Sequence, residues 1–252
     1  MPDFIELLKV IFLGIVEGIT EWLPISSTGH MLLVDEFLQL NANDAFKEMF
    51  FVVIQLGAIL AVVVLFWHKM LPFQLQDRKK PFWKKDTLSL WLKVVVACIP
   101  GAAVTLLFDD VIEAHLHTPV VIACALILYG IAFLLVEDWN KARRPRIRTL
   151  SEITYQTALI IGVSRVAAAE FTFFLAVPVM FGMSALKLLK FGFAFTGAEL
   201  VTLLAGMAVA FLVSLAVIKF LMNYIRKHDF KAFGWYRIAL GALVLVYFLA
   251  IK

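Results

Sequence analysis

Two carboxylates, four hydroxyls and an imidazole lie within one short stretch of an otherwise apolar sequence, and these are the groups that could do chemistry. The stretch runs from Glu17 to His30 and reads EGITEWLPISSTGH. A charged side chain at the centre of a bilayer costs roughly 3 kcal/mol on insertion scales, so two acidic residues here indicate a functional site. Carboxylates can hold a divalent cation, and free amides at a helix start attract phosphate. The stretch therefore favours a site that binds a phosphate group or a metal ion.

The spacing of the two carboxylates predicts a helix that breaks soon after them. Glu17 and Glu21 are four residues apart, so on a helix they share one face about one turn apart. Leu23 precedes Pro24, and proline pushes the preceding residue out of the helical region. We therefore expect the first helix to break at Leu23–Pro24.

The hydroxyls and the imidazole follow the proline and would belong to a second helix. Ser26, Ser27 and Thr28 are candidate N-caps, and His30 lies one turn further on. Capping alone would explain the serines, and His30 could simply bond a backbone carbonyl. A histidine three or four residues from both serines could instead act as the base that activates one of them.

The composition predicts an all-α, polytopic membrane protein with broken or re-entrant helices. Of the 252 residues 62% are hydrophobic, and the mean hydropathy is +0.92, whereas globular domains are about 45–50% apolar. Apolar blocks of about 20 residues each fit one crossing of a bilayer. One block is too long for a single straight span and is predicted to break at Gly162. The blocks cover residues 4–23, 25–40, 48–67, 88–108, 119–136, 153–189, 198–222 and 234–251.

Basic residues are concentrated in three loops, at 68–86, 138–148 and 223–231. The positive-inside rule places all three in the cytoplasm, and the number of crossings between them agrees. The same count puts residues 41–47 and the acidic segment 109–118 outside. The net charge of +4 is thus explained by topology and does not point to nucleic acid as a partner. Binding of anionic lipid is the alternative explanation for the basic loops.

Three stretches together closely resemble the bacterial undecaprenyl-diphosphate phosphatases of the bacitracin-resistance type. Glu17–His30 matches the family pattern E-G-x-T-E-[FW]-L-P-[IV]-S-S-T-G-H almost position for position. The other two stretches run from Phe51 to Val62 and from Gly162 to Pro178, and the resemblance extends over essentially the whole chain. It implies hydrolysis of undecaprenyl diphosphate to undecaprenyl phosphate and phosphate, which recycles the lipid carrier of cell-wall synthesis.

One signature of that family is absent from this chain. Members carry P-G-x-S-R-S-G before a segment like the third stretch, whereas here Gly162 is followed directly by Val163. The family uses the arginine and serine of that signature to complete its active site. A non-catalytic polyprenyl-lipid binder or transporter is therefore the alternative function. A third hypothesis is an ion-coupled transporter that uses Glu17 and Glu21 as proton sites.

The resemblance also implies the organisation and the surroundings of the protein. Residues 1–252 would form a single membrane domain with an inverted repeat. The first half, 1–137, contains the Glu/Ser/His motif, and the second half, 150–252, has a re-entrant region shortened near residue 162. The expected location is the bacterial inner membrane, among membrane lipids, with undecaprenyl diphosphate as substrate. A second copy of the chain is a further candidate partner.

The matching positions assign roles to individual residues. Glu17, Glu21, Ser27 and His30 would be catalytic, and the two glutamates would hold a divalent cation, Mg²⁺ or Ca²⁺. Ser27 is favoured as the nucleophile or phosphate ligand, with water as the alternative nucleophile.

Four further residues are predicted to contact the substrate, namely Ser26, Thr28, Gln55 and Arg165. Gln55 is a lone amide in an apolar span, so a hydrogen bond between helices is its alternative role. Arg165 belongs to the third stretch and is not the arginine of the absent signature. It lies five residues before Glu170, with which it could form an ion pair.

Overall fold

The helices follow the apolar blocks of the sequence. A computed structural model describes residues 2–74, 82–116, 118–140, 147–152, 163–192 and 194–251. Its α-helices are α1 (Phe4–Thr20), α2 (Ser27–Phe37), α3 (Asp44–Leu65), α4 (Trp67–Met70), α5 (Lys85–Leu116), α6 (Pro119–Asn140), α7 (Arg165–Phe191), α8 (Gly197–Lys227) and α9 (Lys231–Val246). A 3₁₀ turn covers Leu150–Glu152, and a π turn covers Tyr247–Ile251.

Six helices in the described part of the chain are long and apolar enough to cross a bilayer, which confirms the polytopic helical architecture. They cover Asp44–Leu65, Lys85–Val104, Pro119–Asn140, Arg165–Phe191, Gly197–Lys227 and Lys231–Ala250. The first two helices differ from these. At a rise of about 1.5 Å per residue, the 11 residues of α2 are too short to cross a hydrocarbon core of about 30 Å. We call α1, the turn after it and α2 the N-terminal hairpin.

Helices α1, α3 and α8 form the centre of the bundle and touch at glycines. A Cβ atom added to Gly14 or to Gly18 would lie 2.8 Å from a backbone carbonyl oxygen of α8, and one added to Gly57 of α3 would lie 2.1 Å from another. These contacts advance along α1 and α8 in the same direction, so the two helices are parallel. The small-xxx-small spacing of Gly14 and Gly18 predicts such close packing, and the structure confirms it.

Helices α6 and α9 form an antiparallel pair that lies against the hairpin. A Cβ atom added to Gly130 would lie 2.8 Å from the carbonyl oxygen of Gly234, and one added to Gly241 would lie 2.8 Å from that of Ala123. Helix α2 meets this pair closely as well, since a Cβ atom on Gly29 would lie 3.2 Å from a side-chain carbon of α6. The pair therefore brings α9 beside the break between α1 and α2.

Ion pairs gather the residues that flank the three basic loops at one end of the bundle. Glu137 at the end of α6 binds Arg165 at the start of α7 and accepts the Phe230 N–H at 3.2 Å. Lys69, which follows α3, binds Glu170 of α7 at 2.6 Å. The common end agrees with the count of crossings. The predicted break at Gly162 lies outside the described residues, so the inverted repeat and the division into halves stay predictions.

Candidate active site

The break in the N-terminal hairpin is confirmed, but it begins one turn earlier than predicted. Helix α1 ends at Thr20, and the turn that follows contains Leu23 and Pro24. Pro24 has no N–H to donate to the carbonyl of Thr20, which removes the next bond of the helical ladder. Ser26 caps α2, and its hydroxyl accepts the Gly29 N–H at 3.3 Å.

Ser26 caps α2 in a strained backbone conformation. Its φ of 74° and ψ of 98° lie in a region that residues with a side chain rarely adopt. Such conformations cost on the order of 1–3 kcal/mol and are concentrated at functional sites. Within the described residues no other residue except glycine has a positive φ.

The hydroxyl of Ser27 has a carboxylate as its partner. It donates a hydrogen bond of 2.5 Å to Oε2 of Glu21, a length typical of the shortest O–H···O⁻ bonds. This bond joins the turn after α1 to the first residue of α2, so it also fixes the hairpin. A carboxylate in this position can take the proton of the hydroxyl and make the oxygen nucleophilic. The structure therefore offers Glu21 as the base for Ser27.

The imidazole of His30 faces away from Ser27. Its Nδ1 lies 2.7 Å from the carbonyl oxygen of Ser26, and a carbonyl only accepts, so Nδ1 carries a proton. Its Nε2 lies 2.8 Å from the hydroxyl of Tyr236 on α9, and the two rings are parallel within 3°. His30 thus holds the strained residue and connects α2 to α9. Glu21, and not His30, makes the hydrogen bond to the Ser27 hydroxyl in this structure.

Glu17 is the most unusual carboxylate of the hairpin. Its side chain is 0% exposed, and no N–H group or hydroxyl of the described residues donates to its oxygens, which lie beside the carboxyl group of Glu21. Ser214 of α8 holds the adjacent backbone, since its hydroxyl donates to the carbonyl of Gly18 at 3.3 Å. Burying an unpaired carboxylate in its charged form costs several kcal/mol. Glu17 must therefore carry a proton or face a cation that binds between these helices.

Two residues of α9, Tyr236 and Arg237, also contact the hairpin, and neither was predicted from the sequence. Nη1 of Arg237 lies 3.5 Å from the carbonyl oxygen of Pro24, and its guanidinium carbon lies 5.4 Å from the ring centre of Tyr129. Its Nε is buried and has no partner in the described part of the chain. A signal was available, because Arg237 is a charged residue inside the apolar block 234–251, and such residues often line functional sites.

The remaining predicted residues lie in different places. Thr28 is exposed on the first turn of α2, and Gln55 is half-buried on α3. Arg165 makes two bonds to Glu137, from Nε at 2.9 Å and from Nη2 at 2.6 Å. Arg165 does not pair with Glu170, which binds Lys69, because residues five apart on a helix point to different sides.

The hairpin suits a divalent cation by the chemistry of its donors. Glu17 and Glu21 offer hard oxygen ligands, and those of Glu17 have no partner in the described part. Among the described residues no group of three or more His, Cys, Asp or Glu side chains could hold a metal ion. The protein would therefore supply part of the coordination, and substrate oxygens and water the rest, as is common for Mg²⁺.

Fold and site together define a class: a polytopic α-helical membrane protein whose N-terminal hairpin holds a carboxylate–hydroxyl pair within the bundle. The family model of the bacitracin resistance protein BacA matches residues 10–166 and 151–243. The chain is 65% identical to an undecaprenyl-diphosphatase of Enterococcus faecalis, over 97% of this chain and 98% of that protein. It is 59% identical to an undecaprenyl-diphosphatase of Lachnoclostridium phytofermentans, over 98% of each. The chain belongs to the bacitracin resistance protein BacA family.

The comparisons also support the absence of one segment. The alignment with the Enterococcus protein spans 269 positions although this chain has 252 residues, so that relative contains residues without a counterpart here. The two matches to the family model overlap at residues 151–166, which means that the match is interrupted there. This is where the sequence lacks the P-G-x-S-R-S-G signature.

Proposed function

We propose that the protein hydrolyses undecaprenyl diphosphate to undecaprenyl phosphate and phosphate, and so recycles the lipid carrier of cell-wall synthesis. The observation that carries this proposal is the 2.5 Å hydrogen bond from Ser27 to Glu21, which pairs a nucleophile with its base inside a bundle of apolar helices. The relatives named undecaprenyl-diphosphatase support the choice of substrate. The apolar tail would lie along the spans, with the diphosphate at the break.

The reaction would proceed in two displacements at phosphorus. Glu21 takes the proton of Ser27 as its Oγ attacks the terminal phosphorus of the diphosphate. The bond from that phosphorus to the bridging oxygen breaks, and undecaprenyl phosphate leaves with the proton. Water then attacks the phosphoserine, gives up a proton through Glu21, and Ser27 recovers its hydroxyl as phosphate departs.

The other groups of the hairpin would position and neutralise the diphosphate. Phosphoryl transfer depends mainly on positioning and on stabilisation of negative charge. The amides at the start of α2 suit phosphate oxygens, and His30 keeps that turn in place through Ser26. Glu17 and Glu21 would hold a divalent cation, Mg²⁺ or Ca²⁺, which neutralises phosphate charge when bound. Arg237 is the nearby cation that would contribute in place of the absent arginine.

Phosphate release by the purified full chain from undecaprenyl diphosphate in detergent tests the proposal. We expect release that falls at least about 100-fold in Ser27→Ala and in Glu21→Gln, the range typical of general-base and nucleophile removal. The exposed Ser89→Ala and Glu48→Gln are the matched controls and should retain activity. If Ser27→Ala releases phosphate as fast as wild type while Glu21→Gln does not, water is the nucleophile. That result would exclude a phosphoserine intermediate.

The missing segment favours a second candidate, a polyprenyl-lipid binder that does not cleave. In that case the protein would bind undecaprenyl diphosphate, release no phosphate, and show no difference between wild type and Glu21→Gln in the release assay. Binding measured with a non-hydrolysable diphosphonate analogue separates this outcome from a misfolded preparation.

The location and the partners are part of the proposal. We place the protein in the bacterial inner membrane with the basic loops in the cytoplasm, on the charge asymmetry of the loops. Cysteines introduced at Lys79, Arg144 and Lys227 should all be labelled from the cytoplasmic side. Light scattering in detergent tests the expected homodimer.

A further inference from the structure

A cavity away from the hairpin lies at the end of the bundle that carries the basic loops. It has a volume of about 430 Å³, opens between α3–α4, α7 and α8, and none of the hairpin residues lines it. Three polar residues of α8 line it, namely Lys219, Asn223 and Arg226. They follow each other at intervals of four and three residues, so they form one stripe on the helix and face the cavity together.

The charged residues that line this cavity leave it with a net positive charge. Lys69 and Glu170 both line it, but they bind each other at 2.6 Å and neutralise each other. Lys219 and Arg226 make no hydrogen bond or ion pair within the described part of the chain. Two cations therefore remain without a counter-ion. Lys219 lies two turns inside the last helical residue of a membrane span, where a charge left in apolar surroundings is costly.

Part of the cavity wall is apolar. Leu65 ends α3, and Ile218 and Met222 lie on α8, each one or more residues from a basic position. Each of these residues belongs to a helix that is long and apolar enough to cross a bilayer. A free anion could use the cations but not this wall. A ligand that uses both has an anionic group joined to a hydrocarbon chain.

We propose that this cavity binds an anionic phospholipid, with its phosphate between Lys219 and Arg226 and the start of an acyl chain against the apolar wall. Basic pockets between membrane helices commonly hold anionic lipid headgroups. This binding is separate from the hairpin site and does not depend on the reaction proposed there.

Native mass spectrometry of the full chain, titrated with phosphatidylglycerol or phosphatidylcholine, tests the proposal. We expect wild type to retain one phosphatidylglycerol selectively. Each basic residue near a membrane surface contributes about fivefold to such binding, so Lys219→Gln with Arg226→Gln should weaken it about 30-fold. Lys227→Gln is the matched control, since Lys227 is exposed beside Arg226 but does not line the cavity. It should bind as wild type does.

Several results would overturn the proposal. They are equal retention of the two phospholipids by wild type, an equal loss in Lys227→Gln and Arg226→Gln, and full competition by millimolar inorganic phosphate. Displacement by undecaprenyl phosphate at lower concentration than by phosphatidylglycerol would assign the cavity to the polyprenyl lipid instead. Unchanged melting temperature and elution volume in the double variant ensure that weaker binding does not reflect unfolding.

Discussion

Two buried carboxylates, Glu17 and Glu137, show how differently the chain uses the same group. Glu137 is 5% exposed and accepts two bonds from Arg165 and one from the backbone N–H of Phe230. Glu17 is 0% exposed, accepts no bond from an N–H group or hydroxyl in the described part of the chain, and lies beside the carboxyl group of Glu21. A satisfied buried carboxylate holds helices together, whereas an unsatisfied one needs a ligand or a proton. The contrast identifies Glu137 as a structural residue and agrees with the binding role proposed for Glu17.

A serine caps both α7 and α2, but the backbone conformations of the two serines differ. Ser164 caps α7 in ordinary extended geometry, with φ −64°, and accepts the Ala167 N–H at 3.3 Å. Ser26 caps α2 at the same bond length but with φ 74°. Strain and an unpaired carboxylate thus occur together in the hairpin, while the start of α7 has neither. Four experiments test whether this difference between the two regions is real.

The largest effect should come from restoring the absent segment. We expect the corresponding residues of the Enterococcus relative, inserted between Gly162 and Val163, to raise turnover of undecaprenyl diphosphate by about 10³–10⁵, the contribution of cationic donors in other phosphoryl-transfer enzymes. Binding of a diphosphonate analogue should change little. The control is an insertion of equal length that contains no lysine or arginine. If both insertions leave turnover unchanged, a residue already present in the chain acts as the cationic donor. Arg237 is then the first residue to substitute.

The second effect concerns stability at Glu137. Glu137→Ala leaves Arg165 without its partner and should lower the free energy of unfolding by about 2–3 kcal/mol, less than for a fully buried pair because the Arg165 side chain is 40% exposed. Asp138→Ala, which removes the neighbouring exposed pair with Lys231, should cost about 0–1 kcal/mol. Unfolding in mixed micelles measures both. Equal losses would mean that burial of Glu137 adds nothing.

The third effect concerns Glu17, where we expect a loss of activity with little change in stability. Glu17→Gln removes a buried charge without changing the size of the side chain, so the free energy of unfolding should shift by less than about 1 kcal/mol. Phosphate release should fall about 100-fold, and with it the response to added Mg²⁺. Glu48→Gln at the exposed start of α3 is the control. Full activity in Glu17→Gln would show that this carboxylate is only a buried proton carrier.

These residues also show what a sequence can predict. The hairpin was predictable because proline and the serines act locally, on the helix ladder and on the cap. The partner of each charged group was not, because Arg165 binds Glu137, 28 residues away, and His30 binds Tyr236, 206 residues away. Local spacing suggested Arg165 with Glu170 and His30 with a serine. In the structure, side-chain bonds between α7 and the end of α6 and between α2 and α9 engage these groups instead.

The smallest effect should appear at Ser26 and would test the strain directly. Glycine tolerates a positive φ and costs only a few tenths of a kcal/mol as an N-cap, whereas alanine relieves no strain and loses the cap, about 1 kcal/mol. Ser26→Gly should therefore be more stable than Ser26→Ala by about 1–2 kcal/mol, measured by unfolding in mixed micelles. At Ser164, where φ is −64°, the same two substitutions should differ by less than about 1 kcal/mol, since glycine there has no strain to relieve. Equal differences at the two serines would mean that the hairpin stores no backbone strain. A larger difference at Ser26, together with slower phosphate release in Ser26→Gly, would tie that strain to the positioning of the Ser27 hydroxyl.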